Sequence, residues 1–94
     1  MIQRFCFVKL EAVEAGARDA IAGELRAALA AAGARAVVGV PADDSAAKWD
    51  LSIVIDVPSL DAWRALEHAP PFVDAMDALA ARAHVVKAWT FQVA

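Results

Sequence analysis

Two side chains of this sequence have the type and placement for chemistry on a small molecule. Arg4, in the stretch IQRFCFVKL, carries a planar guanidinium that can hold a carboxylate or an enolate through two parallel hydrogen bonds. His68, in the stretch EHAPPF, has a side chain whose unperturbed pKa lies near neutrality, as a general acid or base requires. Each also has a purely structural reading. Arg4 sits near a strand end from which its head can reach solvent, and a charged His68 would complement the C-terminal end of a helix.

The other reactive types are less suited. Cys6 is the one cysteine, and no helix N-terminus or paired histidine is evident to lower its pKa, so it reads as a small apolar core residue. Asp50 and Asp56 would lie about 20 Å apart along a strand, too far for an acid dyad, and are expected to face water at the sheet rim. His84 is expected in an exposed turn. No His, Cys, Asp or Glu spacing matches a zinc, iron or calcium site and no glycine loop could cradle a phosphate, so neither metal nor cofactor is expected.

Composition bounds the partners. The formal net charge is −3 from 9 Lys+Arg and 12 Asp+Glu, with no dense basic run, which leaves no electrostatic footprint for nucleic acid or an anionic membrane. The alanine-rich stretch is broken by Glu24, Arg26 and Gly33 before it approaches the roughly 20 apolar residues that span a bilayer. One cysteine cannot form an internal disulfide, and the start MIQRFCFVKL lacks the pattern of a secretory signal, so a cytoplasmic setting is expected. At 94 residues the chain is expected to form one domain over residues 1–94. A monomer of this size buries only about 60–65% of its unfolded surface, which makes dimerisation a reasonable expectation.

The elements that must position these side chains follow from periodicity. Ile2 to Leu10 is rich in β-formers and apolar at both parities, as expected of a strand covered on each face. Ile21, Leu25, Ala28, Leu29 and Ala32 recur at helical spacing within Glu14 to Ala32, and Gly33 ends that helix. Ala36 to Val40 reads as a short strand stopped by Pro41, and 41–48 as a polar loop. Trp49, Leu51, Ile53, Ile55 and Val57 alternate with Asp50, Ser52, Val54 and Asp56, the clearest period-two signal in the chain. Ser59 is placed to cap a helix whose buried stripe would be Leu60, Trp63 and Leu66, until Pro70 and Pro71 break it. Phe72, Met76, Leu79, Ala80 and Ala83 mark a further helix, and Val85 to Val93 a last strand.

The order β-α-β-β-α-β predicts a ferredoxin-like sandwich, an α+β fold with a four-stranded antiparallel sheet beneath its helices. Leu51, Ile53 and Ile55 should then face the helices, leaving Asp50, Ser52, Val54 and Asp56 on the uncovered side. Phe5 and Phe7, with Trp89 and Phe91, would add more apolar surface to that side than a soluble monomer usually exposes. A second copy is the simplest cover. The expected interface residues are Phe5, Phe7, Val54, Trp89 and Phe91, in a homodimer whose facing sheets form a barrel-like core.

The opening IQRFCFVKL, the stretch WDLSIVIDVPSLDAWRALEHAPPFV and the terminal AWTFQV resemble the stress-responsive dimeric α/β-barrel (Dabb) family over nearly the whole chain. The resemblance implies a ferredoxin-like homodimer enclosing a barrel. Plant members include a cofactor-free cyclase of polyketides that uses two histidines. Those positions correspond here to Arg4 and to Pro71, and a proline cannot transfer a proton. The chain is therefore expected to be a dimer holding a small apolar or aromatic ligand, without the cyclase's acid–base pair. The expected pocket, between sheet and helices, is lined by Arg4, Cys6, Ile53, Ile55, Trp63, Phe72 and Met76, with Arg4 and His68 as the candidate catalytic groups. The competing expectation is a cofactor-independent cyclase, isomerase or monooxygenase acting on an aromatic or polyketide-like carbonyl compound.

Overall fold

Period-two burial builds the sheet. In the computed structural model, which describes residues 1–94, β1 (Ile2–Leu10) buries Ile2, Cys6, Val8 and Leu10, while β3 (Leu51–Val57) buries Leu51, Ile53, Ile55 and Val57. These two strands pair antiparallel at the centre of the sheet, with Cys6 opposite Ile53. Two edge strands flank them, β2 (Arg35–Gly39) beside β3 and β4 (Ala83–Gln92) beside β1, giving the order β2-β3-β1-β4 with every pairing antiparallel. This is the ferredoxin-like arrangement, in which each helical crossover skips a strand position.

Helices α1 (Arg18–Ala31), α2 (Leu60–His68) and α3 (Pro70–Ala80) cover one face. Ile21, Leu25 and Leu29 of α1, Trp63 of α2, and Phe72, Ala75 and Leu79 of α3 complete a single apolar core with the inward residues of β1 and β3. Helix α1 stops where Gly33 takes the left-handed conformation at φ 79°, and the Ala34 N–H donates back to the Leu29 carbonyl at 2.9 Å. The Ser59 hydroxyl accepts from the Ala62 N–H at 3.1 Å and starts α2. Ala69 is extended, with ψ 127°, so the two prolines after it separate α2 from α3 and open the latter. No helix is long and apolar enough to cross a membrane.

Four expectations change at element ends besides those of Ala80, which is exposed, and Ala83, which opens β4 instead of lying on the last helix. The first helix begins at Arg18 rather than Glu14, because Ala12–Ala17 winds as a 3-10 turn without burying any residue. Leu60 is 44% exposed, since as the first residue of α2 it precedes the face that turns inward. The loop before β3 contains a short 3-10 turn, in which the Asp43 carboxylate accepts from the Ser45 N–H and from the Ser45 hydroxyl. Those two hydrogen bonds hold the Asp43 carboxyl below its usual range.

The fourth change concerns Trp49 and Asp50, which exchange sides relative to a strand running from residue 49. The strand begins only at Leu51; Trp49 turns onto the ring of Phe7, and Asp50 is buried. The Asp50 carboxylate takes a hydrogen bond from the Leu10 N–H at 2.8 Å and lies 3.4 Å from Lys9 Nζ. Strand β1 outlasts its partner there, since the β1–β3 ladder ends at Val8 opposite Leu51, so Leu10 needs an acceptor the sheet no longer offers. Asp50→Ala should therefore cost about 1–3 kcal/mol, and Asp50→Asn, which keeps an acceptor oxygen, distinctly less. Urea unfolding midpoints at an unchanged slope will check both.

Candidate functional site

Three strands and two helices contribute to one cavity, each at its own period. From the strands come Arg4 and Cys6, Ile53 and Ile55, and Val86 and Ala88, each pair two residues apart and so on one sheet face. From the helices come Trp63 and Glu67 of α2 and Phe72 and Met76 of α3, each pair one turn apart. The cavity between sheet and helices measures about 240 Å³, and its walls are apolar except at Arg4 and Glu67. Trp63 and Phe72 meet edge to face, with centroids 5.8 Å apart at 89°, which fixes the aromatic wall.

Arg4 is held on two sides. Its guanidinium carbon lies 5.0 Å from the centre of the Trp63 ring, and Nη1 donates to Thr90 Oγ1 at 2.9 Å. Thr90 is the residue directly across from Arg4 on β4, so the sheet register itself supplies this acceptor. None of the chain's ion pairs involves Arg4. A guanidinium has five N–H donors, and one is used here. An anion entering the cavity would therefore meet an oriented, unneutralised cation.

Cys6 forms part of the same wall but is buried, and burial pushes its thiol pKa up while the positive charge of Arg4 pulls the other way. The side chain is therefore a thiol at neutral pH, not a nucleophilic thiolate.

The structure brings Arg4, Cys6, Ile53, Ile55, Trp63, Phe72 and Met76 around this one cavity. It does not bring His68 there. The His68 side chain is 82% exposed at the end of α2, with Nε2 3.6 Å from Glu67 Oε1. One step along a helix turns a side chain by about 100°, and that step separates Glu67, in the cavity wall, from His68, outside it. Glu67 was legible as the residue one turn after Trp63, and Val86 and Ala88 as the β4 parity opposite Trp89.

The opposite sheet face is uncovered and aromatic. Phe5 packs edge to face on Phe91 with centroids 5.7 Å apart, and Phe7 lies 5.7 Å from Trp49 and 5.8 Å from Trp89. Across the four strands one row reads Val37, Val54, Phe5, Trp89. The row on one side reads Arg35, Asp56, Gln3, Phe91, and the row on the other reads Gly39, Ser52, Phe7, Lys87. The face thus has an apolar middle between more polar margins. Trp89 is 43% and Phe91 55% exposed within the single chain. Asp56 also faces this side, and its Oδ1 is screened from water without a hydrogen-bond donor in the chain.

The sequence matches no protein-family model and no curated protein. Among solved structures, the chain is similar to a dimeric ferredoxin-like protein of unknown function from Thermobifida fusca, with TM-score 0.80 and 17% identity over 98% of this chain and 90% of that one. A dimeric protein of unknown function and ferredoxin-like fold from Bacteroides fragilis gives TM-score 0.76 and 17% identity over 98% and 95%. An antibiotic biosynthesis monooxygenase gives TM-score 0.73 and 9% identity over 100% and 99%. At such identities the likeness establishes the fold this chain shares with them, a four-stranded antiparallel sheet in a ferredoxin-like β-α-β-β-α-β arrangement.

Proposed function

We propose that the protein works as a homodimer whose two open sheet faces meet as a barrel, and that each chain binds a small aromatic molecule between its sheet and its helices. The binding reading rests on one observation, the apolar cavity whose wall carries the fixed, unpaired guanidinium of Arg4. Its volume of about 240 Å³ falls below the range of drug-sized sites, which limits the occupant to a small molecule. The dimer reading is supported by the aromatic open face, since soluble monomers rarely leave such a patch to water, and by two dimeric structural neighbours. Membership of the Dabb family belongs to the same proposal, supported by the resemblance of the stretches that form β1 and run from β3 into α3. So does a cytoplasmic setting, supported by a single buried free cysteine.

The test is ligand-dependent unfolding. A saturating aromatic ligand at about a hundred times its Kd should stabilise the protein by about 2.7 kcal/mol. Arg4→Ala should weaken binding of aromatic anions about tenfold and leave neutral aromatics unchanged. If no aromatic compound shifts the melting temperature, the cavity is not a binding site.

Glu67 favours a second reading, in which the cavity also performs chemistry. It is the one acidic residue bordering the cavity, and a base for a cofactor-independent cyclase, isomerase or monooxygenase would be sought there. The likeness to an antibiotic biosynthesis monooxygenase keeps oxygen-dependent turnover within that test. Product formation from a bound ligand, abolished by Glu67→Gln without loss of binding, would establish it.

A further inference from the structure

We infer that the two copies meet about a two-fold axis parallel to their strands, so that the β1 and β4 half of each open face lies on the β2 and β3 half of the other, with Trp89 seated on the partner's Val37. The inference rests on the dimer reading above and adds which residues face which.

The open face is a wedge. All four rings carried by its strands, Phe5, Phe7, Trp89 and Phe91, stand on β1 and β4, and none stands on β2 or β3. In the middle row Phe5 and Trp89 adjoin Val54 and Val37, and in the row beside it Phe7 adjoins Ser52 and then Gly39. The Gly39 corner is low by necessity, because a Cβ there would come within 2.7 Å of Ser52 Oγ. Val37 is the most exposed large apolar residue of the sheet at 69%, and a hollow bounded by Phe5, Phe7, Trp89 and Phe91 opens on the opposite half.

Two isologous arrangements keep the strands of packed sheets aligned. An axis across the strands sets each strand on its own copy, which places ring on ring over β1 and β4 and leaves the valine halves facing a gap. Such a gap forfeits the contacts that close packing supplies. An axis along the strands, above the line between β1 and β3, instead sets β1 on the partner's β3 and β4 on the partner's β2, while each row stays on itself. The partner's Val37 and the partner's Val54 then project into the ringed hollow. Trp49, set against Phe7, already meets part of the third row, so the first two rows carry the contact.

The polar row has the same complementarity. Asp56 Oδ1 has no donor within its own chain, and the Gln3 amide makes no hydrogen bond there. The rotation along the strands sets Asp56 over the partner's Gln3, whose amide is a donor. It also brings Arg35, which has no ion pair, over the ring of the partner's Phe91.

Val37 and Trp89 stand on opposite edges of one sheet, about 14 Å apart, so coupling between them must pass through the partner. Val37→Trp and Trp89→Val are each expected to weaken dimerisation about tenfold or more by sedimentation, and the double variant to return to within about threefold of the parent. A covalent readout avoids bulky changes. Val37→Cys mixed with Trp89→Cys should be joined by a bismaleimide reaching about 10 Å, the spacing of packed sheets, whereas neither variant alone should be; the parent, with its buried Cys6, is the blank. Losses that add, with each cysteine variant linking to itself or to nothing while the parent sediments as a dimer, overturn this arrangement but leave the dimer. A parent that sediments as a single chain at every concentration overturns both.

Discussion

Phe5→Glu is expected to leave the protein as single chains of 9.9 kDa by light scattering, folded or unfolded, in place of the proposed dimer. Phe5 lies in the row Val37, Val54, Phe5, Trp89 that crosses the middle of the open face, and its ring is seated on Phe91. The polar members of the adjoining rows, among them Arg35, Gln3, Ser52 and Lys87, can stay at a wetter margin, whereas a charge in the middle row would be buried without a partner. An unpaired buried charge costs roughly 3–5 kcal/mol, and the symmetry of the pair introduces one from each protomer. The dimerisation constant should therefore weaken by at least about a thousandfold. Val13→Glu is the matched control, since Val13 is 93% exposed in the 3-10 turn before α1 and off the sheet, so its mass should not change. A Phe5→Glu protein that still elutes as two chains would show that this face does not pair.

The faces of the sheet were readable before its ends were. Leu51, Ile53 and Ile55 reveal the covered side because both neighbouring strands force one parity along the whole of β3. The same alternation extended to Trp49 and Asp50 fails, since those residues answer to other demands: Trp49 to the ring of Phe7, and Asp50 to the unpaired N–H of Leu10. A period describes an element's interior, and tertiary hydrogen bonds decide where the period stops. The alanine-rich stretch shows the same limit. Ala12 and Ala15 suit either a helix or a looser turn, and in the folded chain both are exposed and lie outside α1.

The cavity was legible for the same reason as the sheet, because its apolar lining is the inward parity of three strands and one stripe from each of two helices. Its polar groups were harder to place. Arg4 shares the parity of Cys6 and points with it, but the acceptor that orients it, Thr90, depends on the register of an edge strand that no pattern within β4 determines. His68 has the more versatile chemistry, whereas Glu67 lies in the cavity wall. On a helix the chemical type of a residue says what it can do, and its angular place relative to a buried neighbour such as Trp63 says whether it is in range.

Trp63→Ala should produce the largest loss of stability, about 3–5 kcal/mol, read as a shift of the urea midpoint at constant slope. Trp63 is only 5% exposed and is the main side chain by which the short helix α2 enters the core. Its removal takes away the edge-to-face partner of Phe72 and the aromatic surface under Arg4, and it leaves a void beside a cavity that already exists. A domain of this size has only about 5–10 kcal/mol to lose, so the variant should lie near the limit of folding at physiological temperature. The void gives the experiment a second arm. Indole, added to the variant, should refill the lost volume and recover part of the midpoint, as apolar ligands do in dry engineered cavities, while leaving a Leu29→Ala variant at the fully buried Leu29 unaffected. Rescue confined to Trp63→Ala would mark this tryptophan as the wall of a space that molecules can enter. A loss of stability that indole does not repair would make Trp63 an ordinary core residue and weaken the case that the adjoining cavity is reached from solvent.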